Sequence, residues 1–407
     1  MLSSTWKSAP RVFPTSGFES LDPSLQIEEE TLPTYSPEKY YPVRQGEIFN
    51  DRYQVLAKLG YGVTSTVWFA SDLVDSTHVV LKIYTLGQAR EHELNIYNHF
   101  DSVETHHPGR KFIRKMLGHF FVDGPHGRHI CLVHEPLGMN ATELLEYIPG
   151  RIMTLEDMKP AIRQLLAAVC DDVAYLATDI QLKNLLLPTP PSQILSDFEA
   201  SEISRPTARK SLEDRTIYIT SRFPMGDGGL PLLSDFGEAR FADEELKGNI
   251  MPDYYRAPEV ILKSNWDSKV DIWSVAMVAW DIVSHHTIIK GDSRDGIFDD
   301  GAHIAELVAL LGPPSPEFLA KQQMGWVFWD ESGKWKDLIP IPDRSLEKLA
   351  TEIQGEDIEG FLRWLRLALQ WNSEDRPTAL ELLTDPWLMK GLNIGRKHVE
   401  KPDGSQR

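Results

Sequence analysis

The sequence predicts an α+β fold of two lobes, a small β-rich lobe with one main helix followed by a larger, mainly helical lobe. The first observation is a series of short β-rich runs separated by turn residues, which begins at Arg52. The second is a change after Gly138, where apolar residues recur at i, i+3 and i+4 in several long segments. The third is the length, because 407 residues can bury a sizeable core in two joined lobes.

The elements follow in order along the chain. Three strands of an antiparallel meander are predicted by RYQVLAKLGYG, STVWFASDL and HVVLKIYT. The main helix of the small lobe is predicted by GQAREHELNIYNHF, and two further strands by FIRKMLGHFFV and RHICLVHEPLG. The helical periodicity of the large lobe is carried by TLEDMKPAIRQLLAAVCDDVAYL, KVDIWSVAMVAWDIVS, AHIAELVALLG and IEGFLRWLRLAL.

These patterns also set the domain bounds. Residues 1–40 are predicted to form an extended or disordered arm, and residues 41–390 the folded domain, with lobes over about 52–137 and 138–390. The Pro-, Ser- and charge-rich residues 188–229 are interpreted as an insertion between elements of the second lobe. Residues 391–407 are interpreted as a polar tail.

The composition narrows the classes of function. A net charge of −18 argues against direct nucleic-acid binding and favours cationic partners, although acidity that only aids solubility explains it equally well. Two cysteines exclude a disulfide framework and favour a reducing compartment, cytoplasmic or nuclear. No apolar run approaches the ~20 residues of a membrane span. Lys7 and Arg11, with no acid before Glu19, leave a mitochondrial presequence open beside a polar arm.

A glycine-rich turn is predicted between the first two strands of the meander. Gly60, Gly62 and Val67 follow the pattern G-x-G-x-x-G-x-V, with Leu59 just before it and Ser65 in place of the third glycine. Glycines allow backbone N–H groups to approach phosphate oxygens without a Cβ in the way. Alone the turn is a weak signal, because glycine-rich hairpins are common.

Lys82 ends the apolar run VVLK on the third strand, and a lysine in such a strand needs a carboxylate partner. Glu91 and Glu93 on the next helix are the candidates. Glu93 shares a helical stripe with Ile96 and Phe100, so it is predicted to face inward. A solvated glutamate would be the ordinary interpretation without Lys82 upstream.

Three polar residues of the large lobe have the spacing of a phosphate and metal site. Asp179 lies five residues before Asn184, and Asp235 begins the triplet Asp-Phe-Gly after an apolar strand. The similar stretch SDFEASE lacks the glycine and the strand, so Asp197 is interpreted as a helix cap or a solvated acid. Downstream, Glu259 in the triplet Ala-Pro-Glu is a candidate ion-pair partner of Arg376.

Taken in order, these motifs resemble those of the eukaryotic protein kinases over about residues 50–390. The start of the domain, with HICLVHEPLG and FDDGAHIAELVALLG, is similar to the serine/arginine-rich-protein kinases, and the insertion marks a divergent branch. The resemblance implies a two-lobed fold, ATP with Mg²⁺, and phosphorylation of serine or threonine in cationic Arg/Ser-rich proteins, by a monomer.

The resemblance also implies the roles of individual residues. Asp179 would orient the substrate hydroxyl, Lys82 would pair with the phosphates, Glu93 would anchor Lys82, and Asn184 and Asp235 would hold Mg²⁺. Nucleotide contacts are expected from the turn and from the segment between the lobes, where Glu135 and Leu137 would offer their backbone to an adenine. A buried strand that runs into a turn is the alternative for that segment. The full set of expected nucleotide-binding residues is Leu59, Gly60, Gly62, Ser65, Val67, Lys82, Glu135 and Leu137.

The loop around Asp179 departs from the family pattern. Ala177 replaces a supporting histidine, and Thr178 replaces an arginine that reads a phosphorylated activation segment. Gln181 replaces a lysine that neutralises charge on the transferred phosphoryl group, and Lys183 could partly substitute for it. No Ser or Thr occurs between Glu238 and Arg256, so an enzyme active without activation-segment phosphorylation is expected.

Two alternatives stay open at this point. A catalytically impaired scaffold that binds nucleotide or protein is suggested by Ala177 and Gln181. A small-molecule kinase of related fold is disfavoured by the Ala-Pro-Glu and Asp-Ile-Trp-Ser segments, which belong to a peptide-binding platform. A possible docking surface for cationic substrates, with a solvated loop as the equal alternative, comprises Asp292, Asp295, Asp299 and Asp300.

Overall fold

The computed structural model describes residues 6–87, 91–104, 106–170, 175–176, 179–241, 246–292 and 297–392. It has the two lobes that the sequence predicts, a β-sheet lobe followed by a helical lobe, and this prediction is confirmed. The small lobe contains the helix α1 (His92–Ser102) and an antiparallel sheet of order β1-β2-β3-β4-β6-β5. Its strands are β1 (Ile48–Phe49), β2 (Tyr53–Tyr61), β3 (Ser65–Asp72), β4 (Thr77–Tyr84), β5 (Met116–Gly124) and β6 (Gly127–His134).

The register of this sheet places Lys82 beside the glycine-rich turn. Val67 on β3 pairs with Gly60 on β2 and with Lys82 on β4. Alternation along β4 therefore sends the Lys82 side chain to the same face as Val67. On α1 Glu93 is buried, whereas Glu91, just before the helix, is exposed.

The large lobe is built around α3 and α6, which pack in one continuous apolar core. Its main helices carry the predicted periodicity, because their apolar stripes must face that core. The helices are α2 (Ala141–Tyr147), α3 (Leu155–Ala168), α4 (Ser192–Ser204), α5 (Pro258–Ile261), α6 (Lys269–Val283), α7 (Asp300–Leu311), α8 (Pro316–Lys321), α9 (Gly325–Phe328), α10 (Leu346–Leu349), α11 (Ile358–Ala368), α12 (Ala379–Leu383) and α13 (Pro386–Met389).

The remaining strands of the described residues form three short antiparallel pairs. They are β7 (Tyr175–Leu176) with β12 (Arg240–Phe241), β8 (Leu185–Leu186) with β11 (Leu232–Leu233), and β9 (Arg209–Ser211) with β10 (Thr216–Tyr218). The pair β8–β11 brings two distant segments of the sequence together at the lobe boundary. Within the described residues, no helix combines the length and the hydropathy needed to cross a bilayer.

The insertion leaves the large lobe after β8 and returns to it at β11, but it packs on the small lobe. Leu195 of α4 is buried with Leu56 and Phe69 of the sheet, and Phe198 and Phe223 pack against the same cluster. Sequence analysis located the insertion in the chain and missed this packing, because the apolar residues of α4 are few and widely spaced.

The described part of the N-terminal segment, for which the sequence predicts an extended or disordered arm over residues 1–40, is an irregular stretch with two short 3-10 helices. From Trp6 onward it lies along the small lobe and the insertion. Arg11 pairs with Glu199 of α4 at 2.7 Å, and Lys210 of β9 pairs with Glu30 at 2.5 Å. Glu29 bonds the buried Lys58 of β2. Glu29 and Glu30 therefore pack against lysines of the folded domain.

Glu259 and Arg376 form the ion pair that the sequence suggested. Two contacts of 2.7 Å join the carboxylate to the guanidinium, and both side chains are almost fully buried. Arg376→Met leaves Glu259 buried without its partner, so we expect a loss of about 3–5 kcal/mol in the free energy of unfolding. Urea denaturation measures it.

The control is Arg366→Met, which removes an exposed pair with Glu347 and should cost no more than about 1 kcal/mol. Equal losses in the two variants would contradict the assignment of a structural role to the buried pair.

Candidate active site

The glycine-rich turn joins β2 to β3 above a cavity of about 400 Å³ at the lobe boundary. The N–H of Gly62 donates to the carbonyl of Ser65 at 2.8 Å and closes the turn. The Tyr40 hydroxyl donates to the Gly62 carbonyl at 2.9 Å from the N-terminal segment. A Cβ on Gly60 or Gly62 would meet no atom within 4 Å, so the space beside both glycines is open for a ligand.

Lys82 lies below the glycine-rich turn and connects β4 with α1 and with the segment that follows β11. Its Nζ lies 2.7 Å from Oε2 of Glu93 on α1 and 2.9 Å from Oδ1 of Asp235. The Tyr84 hydroxyl also donates to Glu93. Burial would lower the pKa of Lys82, but the charges of Asp235 and Glu93 outweigh it and the pKa is raised. The lysine is therefore a fixed cation that faces the cavity.

Asp235 occupies a left-handed backbone conformation, with φ of 62°. Such a conformation costs energy in a residue other than glycine and persists where neighbours hold it. The N–H of Phe236 donates to Glu93 at 3.2 Å, and the Phe236 ring packs edge-on against Tyr97. Burial alone would raise the pKa of Asp235, yet the charge of Lys82 holds it below its usual value. Asp235 is thus an ionised carboxylate at the cavity.

Asp179, Gln181 and Asn184 form one hydrogen-bonded group. The Asn184 amide donates to the carboxylate and to the carbonyl of Asp179, both at 2.8 Å, and the Gln181 amide donates to the other carboxylate oxygen. Burial raises the pKa of Asp179, and the charge of Lys183 opposes that shift. Gln181 thus orients the aspartate instead of supplying a charge.

The strand pair β8–β11 connects this group to Asp235. Leu185 pairs with Leu233, and the N–H and hydroxyl of Ser234 donate to the Asn184 carbonyl at 2.8 and 2.9 Å. Asn184 comes just before β8 and Asp235 comes just after β11, so the antiparallel pair places both residues at one end, and both line the cavity. Lys183 is exposed but also lines it. Ala177 and Thr178 lie outside the described residues.

The cavity brings together nearly all of the predicted nucleotide-binding residues. The predicted residues among its lining are Leu59, Gly60, Gly62, Ser65, Val67, Lys82, Glu93, Leu137, Asn184 and Asp235. Glu135 is the exception, because it does not line the cavity. Its carbonyl accepts from the N–H of Leu137 at 3.0 Å and from Nη2 of Arg114 at 2.9 Å. Pro136 lies between them, and its fixed φ suits such a tight turn.

Two lining residues come from the insertion and were missed by sequence reasoning. Ser221 and Phe223 lie on the return segment between β10 and β11. No local pattern marks them, since their place depends on how the insertion folds back over the small lobe. A family motif would not find them either, because the insertion lies outside the motifs.

Comparisons with known proteins agree with this geometry. A model of the protein kinase domain matches residues 227–388. A serine/threonine protein kinase of Aspergillus fumigatus is 40% identical over 386 residues, which cover 94% of this chain and 96% of that protein. This chain belongs to the serine/threonine protein kinases. The kinase is also 26% identical to the serine/threonine-protein kinase SRPK of Physarum polycephalum, over 89% of this chain and 91% of that one. It is 23% identical to the human dual specificity protein kinase CLK4, over 84% of this chain and 68% of that protein.

The chain is therefore an enzyme, and it resembles the serine/arginine-rich-protein kinases. Kinases of this family use ATP as co-substrate, generally with a divalent metal ion, and act on protein substrates. The donor set of this kinase fits such a metal. Asp235 and Asn184 offer a carboxylate and an amide oxygen, and hard divalent cations bind through one or two such groups together with substrate phosphates. Among the described residues, no group of three or more His, Cys, Asp or Glu side chains could hold a metal ion by itself.

Proposed function

We propose that the kinase transfers the γ-phosphoryl group of Mg²⁺-ATP to serine in cationic Arg/Ser-rich proteins, without prior phosphorylation of its activation segment. One observation carries the proposal: Lys82 bonds Glu93 and Asp235 at once, while Asn184 holds Asp179 beside the same cavity. A scaffold that only bound nucleotide would have no need of the Asp179–Asn184 arrangement. The rival interpretation as a scaffold rests on Gln181 and Ala177.

Each residue has a physical task in this transfer. Asp179 accepts a hydrogen bond from the substrate hydroxyl and then its proton, which leaves the serine oxygen to bond the phosphoryl group as ADP departs. Lys82, held by Glu93, binds phosphate oxygens. Asn184 and Asp235 would hold Mg²⁺, which supplies neutralising charge between the phosphates when bound. Burial raises the pKa of Asp179 and so makes it a better proton acceptor.

The absence of a phosphate switch is supported by the activation segment. No Ser or Thr occurs between Glu238 and Arg256. The buried Tyr255 donates its hydroxyl to Asp281 at 2.5 Å and so is not accessible to another kinase. Glu93 is already in contact with Lys82, the ion pair that switchable kinases assemble on activation.

The substrate class is supported by charge and by the relatives. The net charge of −18 favours cationic partners. The acidic group proposed for docking is partly engaged elsewhere: Asp299 caps α7 through the N–H of Ala302 at 2.8 Å, and Asp300 pairs with Arg256 at 2.8 Å. Asp295 lies outside the described residues. We therefore place the attraction in the overall charge and not in this loop, and we propose a cytoplasmic or nuclear location, where such substrates occur.

The test is transfer of radiolabel from ATP to an Arg-Ser repeat peptide by the purified kinase. We expect transfer, its loss in Lys82→Met, and a KM for the peptide that rises several-fold between about 50 and 300 mM salt, because screening weakens long-range attraction. A matched peptide with alanine in place of arginine is the control. Absence of transfer to both peptides would favour the scaffold, and a KM insensitive to salt would remove the charge argument.

The pH dependence of kcat gives a second expectation. Asp179 must be unprotonated to accept the hydroxyl proton, so the rate falls as the pH drops through its raised pKa. Lys183→Ala removes a charge that lowers this pKa, and the acid limb should move to higher pH. Lys183→Arg keeps the charge and should leave the limb in place. A limb that stays fixed in the alanine variant, or moves to lower pH, would contradict the coupling of Lys183 to Asp179.

A further inference from the structure

The return segment of the insertion, residues 221–226, forms an outer wall of the nucleotide cavity. Ser221 and Phe223 line the cavity together with Leu59 of β2 and Leu137 of the segment between the lobes. This wall comes from a part of the chain that supplies none of the motif residues. It therefore adds contacts to a cavity that the motif residues alone do not complete.

The segment is fixed to the small lobe at its start. The N–H of Ser221 donates to the carbonyl of Lys58 at 2.8 Å, one residue before Leu59. The Ser221 hydroxyl lies 3.0 Å from the carboxylate of Glu202 on α4 and 2.9 Å from the Thr207 hydroxyl. Ser221 is buried by these contacts. The first end of the wall is thus part of the roof of the cavity.

The segment is fixed to the other lobe at its end. A Cβ on Gly138 would lie 2.5 Å from Cα of Gly226, and a Cβ on Gly226 would lie 2.2 Å from the Pro188 carbonyl oxygen. Only glycines allow backbones to approach so closely. The wall therefore spans from β2 to the segment between the lobes and has little freedom to move away from the cavity.

The ring of Phe223 is held by an aromatic cluster. Its centroid lies 5.2 Å from that of Phe69 and 5.3 Å from that of Phe198, both in edge-on geometry. Phe198 packs on Phe69 in the same way, at 5.4 Å, but does not line the cavity. The two phenylalanines thus share a structural environment and differ in their access to the ligand.

The position of the wall indicates which part of a nucleotide it meets. Lys82, Asn184 and Asp235 define the phosphate end of the cavity, so the base and ribose lie toward Leu137 and Gly138. Phe223 belongs to the segment whose two ends contact Lys58 and Gly138, so it lies at that second end. We propose that Phe223 contacts the ribose of the bound nucleotide and is a specificity-determining residue, which strengthens ATP binding and excludes nucleotides with bulky ribose substituents.

The test compares Phe223→Ala with Phe198→Ala, which removes the neighbouring ring from the same cluster. We expect Phe223→Ala to raise the KM for ATP about 3- to 10-fold, the range that one aromatic contact gives, with kcat changed less than about twofold. Phe198→Ala should leave the KM within about twofold. Both should lower the melting temperature. Phe223→Leu, which keeps apolar packing, should give an intermediate KM.

A binding measurement makes the outcome independent of catalysis, since the proposal rests on the proposed function only in placing a nucleotide in this cavity. Fluorescent N-methylanthraniloyl-ATP, which is labelled on the ribose, should gain affinity relative to ATP in Phe223→Ala and not in Phe198→Ala. Equal KM changes in the two variants, or an unchanged ratio of the two nucleotide affinities, would overturn the proposal. If the unchanged kinase transferred no phosphoryl group, but Phe223→Ala still shifted the ratio of the two nucleotide affinities, only the proposed catalysis would be overturned.

Discussion

Asp179→Asn is expected to lower kcat by about 10²- to 10⁴-fold, the usual contribution of a positioned general base. An asparagine at this position can still accept the hydrogen bond from Asn184 through its oxygen, and Gln181 can turn its amide so that its oxygen accepts from the new NH2 group, so the loop should keep its conformation. It cannot take the proton of the substrate hydroxyl. The KM for ATP should therefore change little, because the nucleotide contacts lie on Lys82 and on the glycine-rich turn.

The control for this variant is Asp197→Asn, in the stretch that mimics the Asp-Phe-Gly motif. Asp197 lies exposed on α4 and accepts from Gln193 at 2.8 Å, so its replacement should leave kcat within about twofold. Steady-state kinetics with the Arg-Ser peptide measure both variants. A kcat for Asp179→Asn within tenfold of the unchanged kinase would remove Asp179 from the role of base.

Lys183→Ala is expected to lower kcat about 10- to 100-fold. The substitution leaves the transferred phosphoryl group without a nearby cation from this loop. Gln181 cannot supply that charge, since an amide is neutral, and its NH2 group is already bonded to Asp179. Lys183 is exposed and lines the cavity, so its ammonium can reach a phosphate there. This gives a physical reason why a kinase that lacks the usual lysine could remain active.

The decisive measurement for Lys183 is a double-mutant cycle with Gln181→Lys. A lysine at 181 restores the family pattern, so it should recover most of the activity lost in Lys183→Ala and add little in the presence of Lys183. Independent, additive effects of the two changes would contradict compensation. Lys263→Ala, at a half-buried lysine bonded to Asn249 away from the cavity, controls for loss of surface charge.

The parts of the site that sequence reasoning found are those with a local signal. Lys82 stands out as a charge in an apolar strand, and helical periodicity together with the need of Lys82 for a partner favours Glu93 over Glu91. Asp235 was separated from Asp197 by the strand before it and the glycine after it. In each case a few neighbouring residues carry the physical constraint, so no knowledge of distant contacts was needed.

The parts that it missed depend on contacts between distant segments. The acidic residues 28–30 carry no local signal of their contacts, which are made with Lys58 of β2, Lys210 of β9 and Thr220. Phe223 becomes a wall of the cavity only after α4 has packed on the sheet. The closed backbone at Glu135 depends on Arg114, which lies 21 residues earlier and carries no family signature.

The long-range ion pair between Glu30 and Lys210 has a consequence for biosynthesis. Its two members are separated by 180 residues, so the start of the chain leaves the ribosome well before its partner exists. At translation speeds of about 5–20 residues per second, this delay is roughly 10–40 s. During that interval Leu56 and Phe69 of the small lobe lack the cover of the insertion, and nascent chains are therefore open to chaperones there until the insertion has emerged.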